Sequence, residues 1–192
     1  MKQNASTKGK EQQTYTPMIK FALFDYVPQR FIHKASGDER TLHGFILKFK
    51  DGEKAAQIKA AQYVGRALCG RDRSEYCFVC VPASSPSATA RRYKNFSNQV
   101  CRICGAQNGY DHISVEGRKS KLHTSLQHQI GDADQQRIIV DADFFAGKKV
   151  IVFDDIITTG KTSDAFARIM TEAGANVVGC IFLAKTKMIY PP

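Results

Sequence analysis

The sequence predicts an α/β fold built on a parallel sheet, because its last third contains a strand–helix–strand unit. Residues 149–154 (KVIVFD) and 177–183 (VVGCIFL) are short apolar runs typical of buried strands. Between them, residues 162–173 place apolar side chains at helical spacing, and Gly174 is a stop signal for that helix. A strand, a crossover helix and a second strand in this order indicate parallel pairing.

Earlier parts of the chain carry weaker patterns of the same kind. In chain order they predict a helix over 53–68, a strand over 76–82, a Ser/Pro-rich loop over 83–89, a helix over 95–106, strands over 112–115 and 138–140, and a polar surface loop over 117–134 between these last two. Composition divides the whole chain into three segments. We expect a disordered tail over 1–16, a small hood of short strands or irregular segments over 17–50, and a core domain over 51–192.

The net charge indicates an anionic partner. Lys and Arg number 28 against 18 Asp and Glu, which gives +10. Nucleic acid, an acidic membrane surface and a phosphate-rich small molecule all fit such a charge. No run approaches the ~18 apolar residues of a membrane helix, and the N-terminus lacks the apolar core of a secretory signal. We therefore expect a cytoplasmic protein with no membrane partner.

Two carboxylates and a phosphate-type loop follow the strand at 149–154. Asp154 and Asp155 come at its carboxyl end, where ligands of parallel sheets bind. Gly160 permits a tight turn, and the next helix points its N-terminal N–H groups at the same place. A nucleotide P-loop is excluded, because that motif needs glycine where Asp155 stands. The candidate phosphate-binding residues are Thr158, Thr159, Gly160, Lys161 and Thr162.

The stretch VIVFDDIITTGKT resembles the phosphoribosyl pyrophosphate (PRPP) signature of type I phosphoribosyltransferases. The resemblance implies a Rossmann-like parallel sheet of that fold with a small N-terminal hood. It also implies that Asp154 and Asp155 engage the ribose 2- and 3-hydroxyls and, indirectly, Mg²⁺ as cofactor, while the loop holds the 5-phosphate. Lys161 departs from the small residue usual in the family.

Within that fold the chain is most similar to the competence protein F family. The similarity rests on FILKFKDG, VPASSPSATARRYKNFSNQ and FFAGKKVIVFDD, and extends over roughly residues 42–186. The sequence departs from that family's pattern in two respects. The family's N-terminal cysteine-rich metal-binding segment is missing, and its Arg-Gly-Phe-Asn-Gln stretch appears only loosely at 93–99.

In such a fold the pyrophosphate of PRPP lies on the loop after an earlier strand. Here that loop offers Ser84 and Ser85 as donors, with Arg91 and Arg92 behind them. An ordinary solvated basic face is the alternative for the arginines. The long polar loop carries Lys121 and His123. Closure of that loop would bring Lys121 to the pyrophosphate and His123 to the acceptor as a base, although most single loop histidines are bystanders.

A zinc site is the competing interpretation of four cysteines. Cys77 and Cys80, and Cys101 and Cys104, have C-x-x-C spacing. The first pair lies in an apolar strand, where residues three apart point to opposite faces. We therefore favour buried, metal-free thiols.

The sequence as a whole predicts a phosphoribosyltransferase. The predicted reaction is displacement of Mg²⁺-pyrophosphate from ribose C1 by a nitrogen nucleophile of unknown identity. The protein is expected to be a homodimer. A non-catalytic PRPP- or nucleotide-binding protein in DNA uptake or regulation is the first alternative. A nucleic-acid-binding protein that uses the basic surface is the second.

Overall fold

The computed structural model describes residues 18–70, 72–116 and 137–188. Seven strands and five α-helices are found there, with two short 3-10 turns at Gln29–Lys34 and Tyr110–His112. The elements in chain order are β1 (Ile19–Tyr26), α1 (Gly37–Lys50), α2 (Lys54–Leu68), β2 (Tyr76–Cys80), α3 (Pro86–Cys104), β3 (Gln107–Asn108), β4 (Ile113–Glu116), β5 (Arg137–Val140), α4 (Ala142–Phe145), β6 (Lys149–Ile157), α5 (Lys161–Glu172) and β7 (Asn176–Thr186).

The central sheet is parallel, as the sequence predicts. Its five strands lie in the order β1-β7-β6-β2-β3, and every neighbouring pair runs in the same direction. The strands β4 and β5 form a separate antiparallel ribbon. The predicted α/β fold is therefore confirmed, and most core elements lie within a few residues of their predicted ends.

Helices cover both faces of this sheet. On one face, α1, α2 and α3 pack over a cluster of aromatic rings in which Phe96 lies 4.6 Å from Phe153 and 5.0 Å from Phe49, centroid to centroid. On the other face, α4 and α5 pack over a second cluster that includes Phe166 and Phe182. Because β6 is buried between both clusters, its carboxyl end is held firmly where the candidate site lies.

The segment expected to form a hood is part of the central layers instead. Strand β1 pairs with β7 along most of its length. The expectation of short strands or irregular structure over 37–50 is wrong, because those residues form α1. The turn signal at Ser36 is in fact a helix cap: Ser36 Oγ accepts from the backbone N–H of Glu39, and the Glu39 carboxylate accepts from the Ser36 N–H.

The predicted loop over 83–89 is wrong in its second half for a similar reason. Helix α3 begins at Pro86, nine residues before the predicted start. Ser85 caps it by accepting from the Ala88 N–H at 3.1 Å, and proline is favoured at the first helical position. Gly105, at φ +78°, ends the helix in the left-handed conformation. Ser and Pro thus signal a helix start here rather than a continued loop.

Two predicted segments lie entirely outside the described residues: the tail over 1–16 and the loop over 117–134. In residues 18–70, 72–116 and 137–188, no helix combines the length and the apolar character needed to cross a membrane.

Two helical glycines give opposite expectations for substitution by alanine. A β-carbon on Gly65 of α2 would stand 2.7 Å from Ile103 Cγ2 on α3, whereas one on Gly44 of α1 would meet nothing within 4 Å. We expect Gly65→Ala to lower the free energy of unfolding by about 1–2 kcal/mol through overpacking. Gly44→Ala should raise it by about 0.5–1 kcal/mol through helix propensity. Urea denaturation of both variants measures this, and equal effects of one sign would contradict the packing of α2 on α3.

Candidate active site

A pocket lies at the carboxyl end of β6, where the strand turns into α5. It is lined by Asp154, Ile156, Ile157, Thr158, Thr159, Gly160, Lys161, Thr162, Ser163 and Phe182. The five candidate phosphate-binding residues therefore line one pocket together with one of the two predicted acids. This position, at the carboxyl edge of a parallel sheet, is where such folds bind ligands.

The turn into α5 has the geometry of an anion site. Gly160 adopts φ +81°, a left-handed conformation that favours glycine. The N-cap residue of α5 is Gly160, which has no side chain with which to cap the helix. The first N–H groups of a helix have no intrahelical partner, and the helix dipole is positive there. The N-terminus of α5 is thus available to an anion in the pocket.

Hydrogen bonds hold this loop before any ligand arrives. The hydroxyl oxygens of Thr158 and Thr186 lie 2.6 Å apart, which ties the loop to the end of β7. Ser163 donates from its hydroxyl to the Gly160 carbonyl at 2.9 Å. Thr159 Oγ1 accepts a long bond of 3.5 Å from the Lys161 N–H. A loop that is already held in this way loses little conformational entropy when an anion binds.

The two adjacent acids point to opposite faces of the sheet. Strand β6 continues to Ile157, three residues beyond its predicted end, so side chains still alternate at Asp154 and Asp155. Asp154 lines the pocket and is in register with Phe182 of β7, which belongs to the cluster under α4 and α5. Asp155 shares the other face with Phe153 and reaches cations on α3 and α1. The structure therefore brings only Asp154 into the pocket beside the loop.

Asp155 is buried and doubly ion-paired. It is 6% exposed. Arg92 Nη1 donates to Asp155 Oδ2 at 2.8 Å, and Lys50 Nζ lies 3.4 Å from Asp155 Oδ1. Arg92 Nε also donates to the Lys50 carbonyl at 3.0 Å. These contacts join β6, α3 and α1 at the carboxyl edge of the sheet.

Burial and a neighbouring like charge dominate the electrostatics of Asp154, whereas Asp155 is paired with two cations. Burial, followed by the neighbouring Asp155 carboxylate, raises the pKa of Asp154 to about 7. Its Oδ1 accepts from the Asp155 N–H at 2.9 Å, a contact that favours ionisation but does not offset burial. Asp154 thus changes charge near neutral pH.

The residues predicted for pyrophosphate are spread over different environments. Ser84 and Arg91 are exposed, and Ser85 is engaged in capping α3. Arg92 faces Asp155 rather than open solvent. All four follow β2, which neighbours β6, so they share the carboxyl edge of the sheet without lining the pocket described above. Lys121 and His123 lie outside the described residues.

Sequence reasoning missed two lysines of this region. Lys50 pairs with Asp155, and Lys20 pairs with Asp164 at 2.6 Å beside the loop. Both belong to the segment expected to be a hood. A helical interpretation of 37–50, signalled by the Ser36 and Glu39 capping pattern, would have placed Lys50 at the end of a helix that packs on the sheet.

The four cysteines of the zinc interpretation are buried. Cys77 packs in the cluster under α4 and α5, and Cys80 in the cluster under α1, α2 and α3, so they face opposite sides of β2 as predicted. Burial raises the pKa of Cys77 to about 11 and that of Cys101 to about 12. Within the described part of the chain, no three His, Cys, Asp or Glu side chains are grouped to hold a metal ion.

Comparison with known proteins relates this chain to the phosphoribosyltransferases. The family model for the phosphoribosyl transferase domain matches residues 110–190, which include β6, the loop and α5. The predicted relationship to the phosphoribosyltransferases is thereby confirmed. The match contains the whole pocket loop, and it extends over the residues between β4 and β5.

Two curated relatives and one solved structure illustrate the similarity. Competence protein ComFC of Streptococcus pneumoniae is 24% identical over 148 residues, covering 76% of this chain and 64% of that protein. An adenine phosphoribosyltransferase of Cereibacter sphaeroides is 28% identical over 75 residues, covering 39% of this chain and 42% of that protein. The crystal structure of adenine phosphoribosyltransferase from Thermoanaerobacter pseudethanolicus has a TM-score of 0.48 at 19% identity, over 69% of this chain and 70% of that one. The chain thus spans less than two thirds of either curated relative.

The two acids should respond oppositely to amidation. Asp155→Asn removes the carboxylate that is ion-paired with Arg92 and Lys50, so we expect the free energy of unfolding to fall by about 2 kcal/mol. Asp154 has a native pKa above its unfolded value, so the native state loses stability as pH rises from about 4 to about 7. Asp154→Asn removes that loss and should stabilise the protein at pH 8.

Urea denaturation at pH 8 measures both effects. The matched control is Glu75→Gln, because Glu75 is an exposed acid that pairs with Lys149 at the opposite edge of the sheet. It should be nearly neutral. If Asp154→Asn and Asp155→Asn destabilised the protein to the same extent, that result would contradict the assignment of Asp155 to ion pairs on one face and of Asp154 to the pocket on the other.

Proposed function

We propose that the chain binds PRPP in this pocket and transfers its phosphoribosyl group to a nitrogen nucleophile. The supporting observation is that a carboxylate and a helix N-terminus with glycine at its N-cap line the same pocket. PRPP combines the two features that such a pocket suits: a phosphate at one end and ribose hydroxyls beside it. The phosphoribosyl transferase domain match covers this same loop.

Each end of the ligand has its partners in this proposal. The 5-phosphate lies against the N–H groups of Lys161, Thr162 and Ser163, where the helix dipole stabilises negative charge. The carboxylate of Asp154 accepts hydrogen bonds from the ribose 2- and 3-hydroxyls. Asp155 acts from the far side of β6, by holding that strand to Arg92 and Lys50.

The reaction is a displacement at ribose C1. The bond between C1 and the pyrophosphate oxygen breaks, and pyrophosphate leaves with the electron pair. The lone pair of the acceptor nitrogen forms the new C1–N bond, and that nitrogen then loses a proton to a base. The protein contributes position and electrostatics. Ser84, Ser85 and Arg91 are proposed for the leaving group, and Lys121 and His123 for closure and proton transfer.

Mg²⁺ fits the donor set at Asp154. The ion prefers oxygen ligands and commonly takes one or two carboxylates together with substrate phosphates, rather than an all-protein cage. Asp154 is a pocket-lining carboxylate, whereas Asp155 is already paired with two cations. When bound, Mg²⁺ would neutralise charge on the departing pyrophosphate. Asp154 is thus the residue proposed to orient the metal, indirectly through the ligand.

A second candidate function is PRPP binding without transfer, in DNA uptake or regulation. Two observations favour it. The alignment with the competence protein covers 76% of this chain, more than the 39% aligned with the adenine phosphoribosyltransferase. Arg92, a candidate pyrophosphate ligand, is already paired with Asp155. Both functions need the same pocket, so binding alone does not separate them.

Isothermal titration calorimetry with PRPP and Mg²⁺ tests the shared part. We expect binding by the wild type and about tenfold or greater weakening in Asp154→Asn, because a charge-assisted hydrogen bond to the ribose is lost. Glu75→Gln, at the opposite edge of the sheet, should bind as the wild type does. Absence of wild-type binding, or equal affinity in Asp154→Asn, would overturn the assignment of the pocket.

Pyrophosphate release separates the transferase from the binder. The wild type is incubated with PRPP, Mg²⁺ and a panel of nitrogen bases, and pyrophosphate is measured by an enzyme-coupled assay. A transferase releases pyrophosphate in the presence of at least one base and not without it. Tight PRPP binding with no release from any base would favour the non-catalytic function.

The pH dependence of binding reports on Asp154. The ionised carboxylate accepts hydrogen bonds through both oxygens, whereas protonation turns one of them into a donor, and burial raises the pKa of Asp154 to about 7. The affinity of the wild type relative to Asp154→Asn should therefore grow as pH rises from 6 to 8. The ratio of the two Kd values cancels the titration of PRPP itself. A ratio that stays constant over this interval would contradict the role of Asp154.

A further inference from the structure

Lys20 reaches the phosphate loop from β1, an edge strand of the sheet. It lies on β1 in register with Cys180 of β7, and its ammonium forms an ion pair of 2.6 Å with Asp164 Oδ1 in the first turn of α5. The same ammonium touches the turn of the loop, because a β-carbon on Gly160 would stand 2.7 Å from Lys20 Nζ. Lys20 thus contacts the loop and the first turn of α5 and is not among the residues that line the pocket.

Asp164 poses an electrostatic problem for a phosphate site. Its Oδ2 lies 3.6 Å from the position that a β-carbon on Gly160 would occupy, so the carboxylate is beside the turn that would hold the anion. An acid in the first turn stabilises an isolated helix. The same charge repels an anion that binds at that helix end, and at such short range the repulsion is substantial unless it is compensated.

The charges around the loop balance only when Lys20 is counted. The other charged side chains of the loop and its pocket are Lys161, Asp154 and Asp164. With Lys20 present, the Lys20–Asp164 pair is neutral, and Lys161 shares the pocket with Asp154, whose carboxylate is only partly ionised near pH 7. Without Lys20, two acids would oppose a single cation at a site for a dianion.

We propose that Lys20 is a positioning residue of the phosphate site, which neutralises Asp164 and supports the turn at Gly160 so that the loop accepts a sugar phosphomonoester. The inference rests on the proposed function, since it assigns the loop to the 5-phosphate. The proposal assigns a role in ligand binding to a residue of β1, which lies outside the loop motif. Side-chain exposures of 31% for Lys20 and 34% for Asp164 leave the pair only partly screened by water.

Ribose 5-phosphate is the probe of choice, because it carries the 5-phosphate without the pyrophosphate. Its Kd is measured by calorimetry at low salt for the wild type and for the variants Lys20→Ala, Lys20→Arg, Asp164→Asn and Lys20→Ala/Asp164→Asn. Lys149→Ala is the matched control, since Lys149 forms a comparable ion pair of 2.8 Å with Glu75 at the opposite edge of the sheet. Circular dichroism verifies that each variant is folded.

Charge compensation predicts a specific pattern among these variants. Lys20→Ala should bind about tenfold more weakly, as expected for an uncompensated charge at a helix N-terminus. Lys20→Arg should retain most of the affinity. Asp164→Asn should bind at least as tightly as the wild type, and adding it to Lys20→Ala should restore most of the lost affinity. Lys149→Ala should have no effect.

The possible outcomes separate the role of Lys20 from the proposed function and from the assignment of the loop to phosphate binding. Equal affinity in Lys20→Ala and the wild type, or no recovery in the double variant, overturns the role of Lys20, even where PRPP binds normally. Binding of ribose 5-phosphate with the predicted pattern, but no binding of PRPP, overturns the proposed function and leaves the role of Lys20 standing. A wild type that fails to bind ribose 5-phosphate overturns the inference together with the assignment of the loop.

Discussion

A buried carboxylate with two cationic partners organises the functional edge of this protein. Burying the charge of Asp155 is costly unless it is paired, and removing a partner from such a pair is more costly still. Arg92 from α3 and Lys50 from α1 supply the pairing, at 2.8 and 3.4 Å. Both helices must therefore converge on β6 at the carboxyl edge of the sheet. The ring cluster around Phe153, directly below on the same face, reinforces that convergence.

The alternation of side chains along β6 divides the work of the two adjacent acids. Because adjacent side chains of a strand point to opposite faces, the pairing of Asp155 on the side of α1 and α3 directs Asp154 to the pocket. There Asp154 lies among groups that shield it from water and beside a like charge, so its pKa rises to about 7. One acid thus stabilises the architecture through ion pairs, while the other is free to meet a ligand. Two neighbours in a signature motif need not share one role.

The N-terminal segment belongs to the site as well as to the fold. Half of the excess positive charge lies in residues 1–50, where nine basic side chains oppose four acidic ones. Two of those cations have defined partners at the site: Lys50 pairs with Asp155, and Lys20 pairs with Asp164. In both cases the cation compensates an acid, one on β6 and the other in the first turn of α5. Part of the basic charge that first suggested a nucleic-acid partner therefore has an internal electrostatic use.

The sequence alone determined the parallel sheet and the loop, because apolar runs, helical spacing and the Thr-Thr-Gly-Lys-Thr stretch are local signals read over a few residues. The start of α3 was missed because Ser and Pro signal both loops and helix caps, and a hydrogen bond from the Ala88 N–H to Ser85 decides between them. Only the tertiary structure decided which acid enters the pocket and which lysines compensate the acids. Those contacts join residues far apart in the chain, as Lys20 and Asp164 are, and strand order and register bring them together.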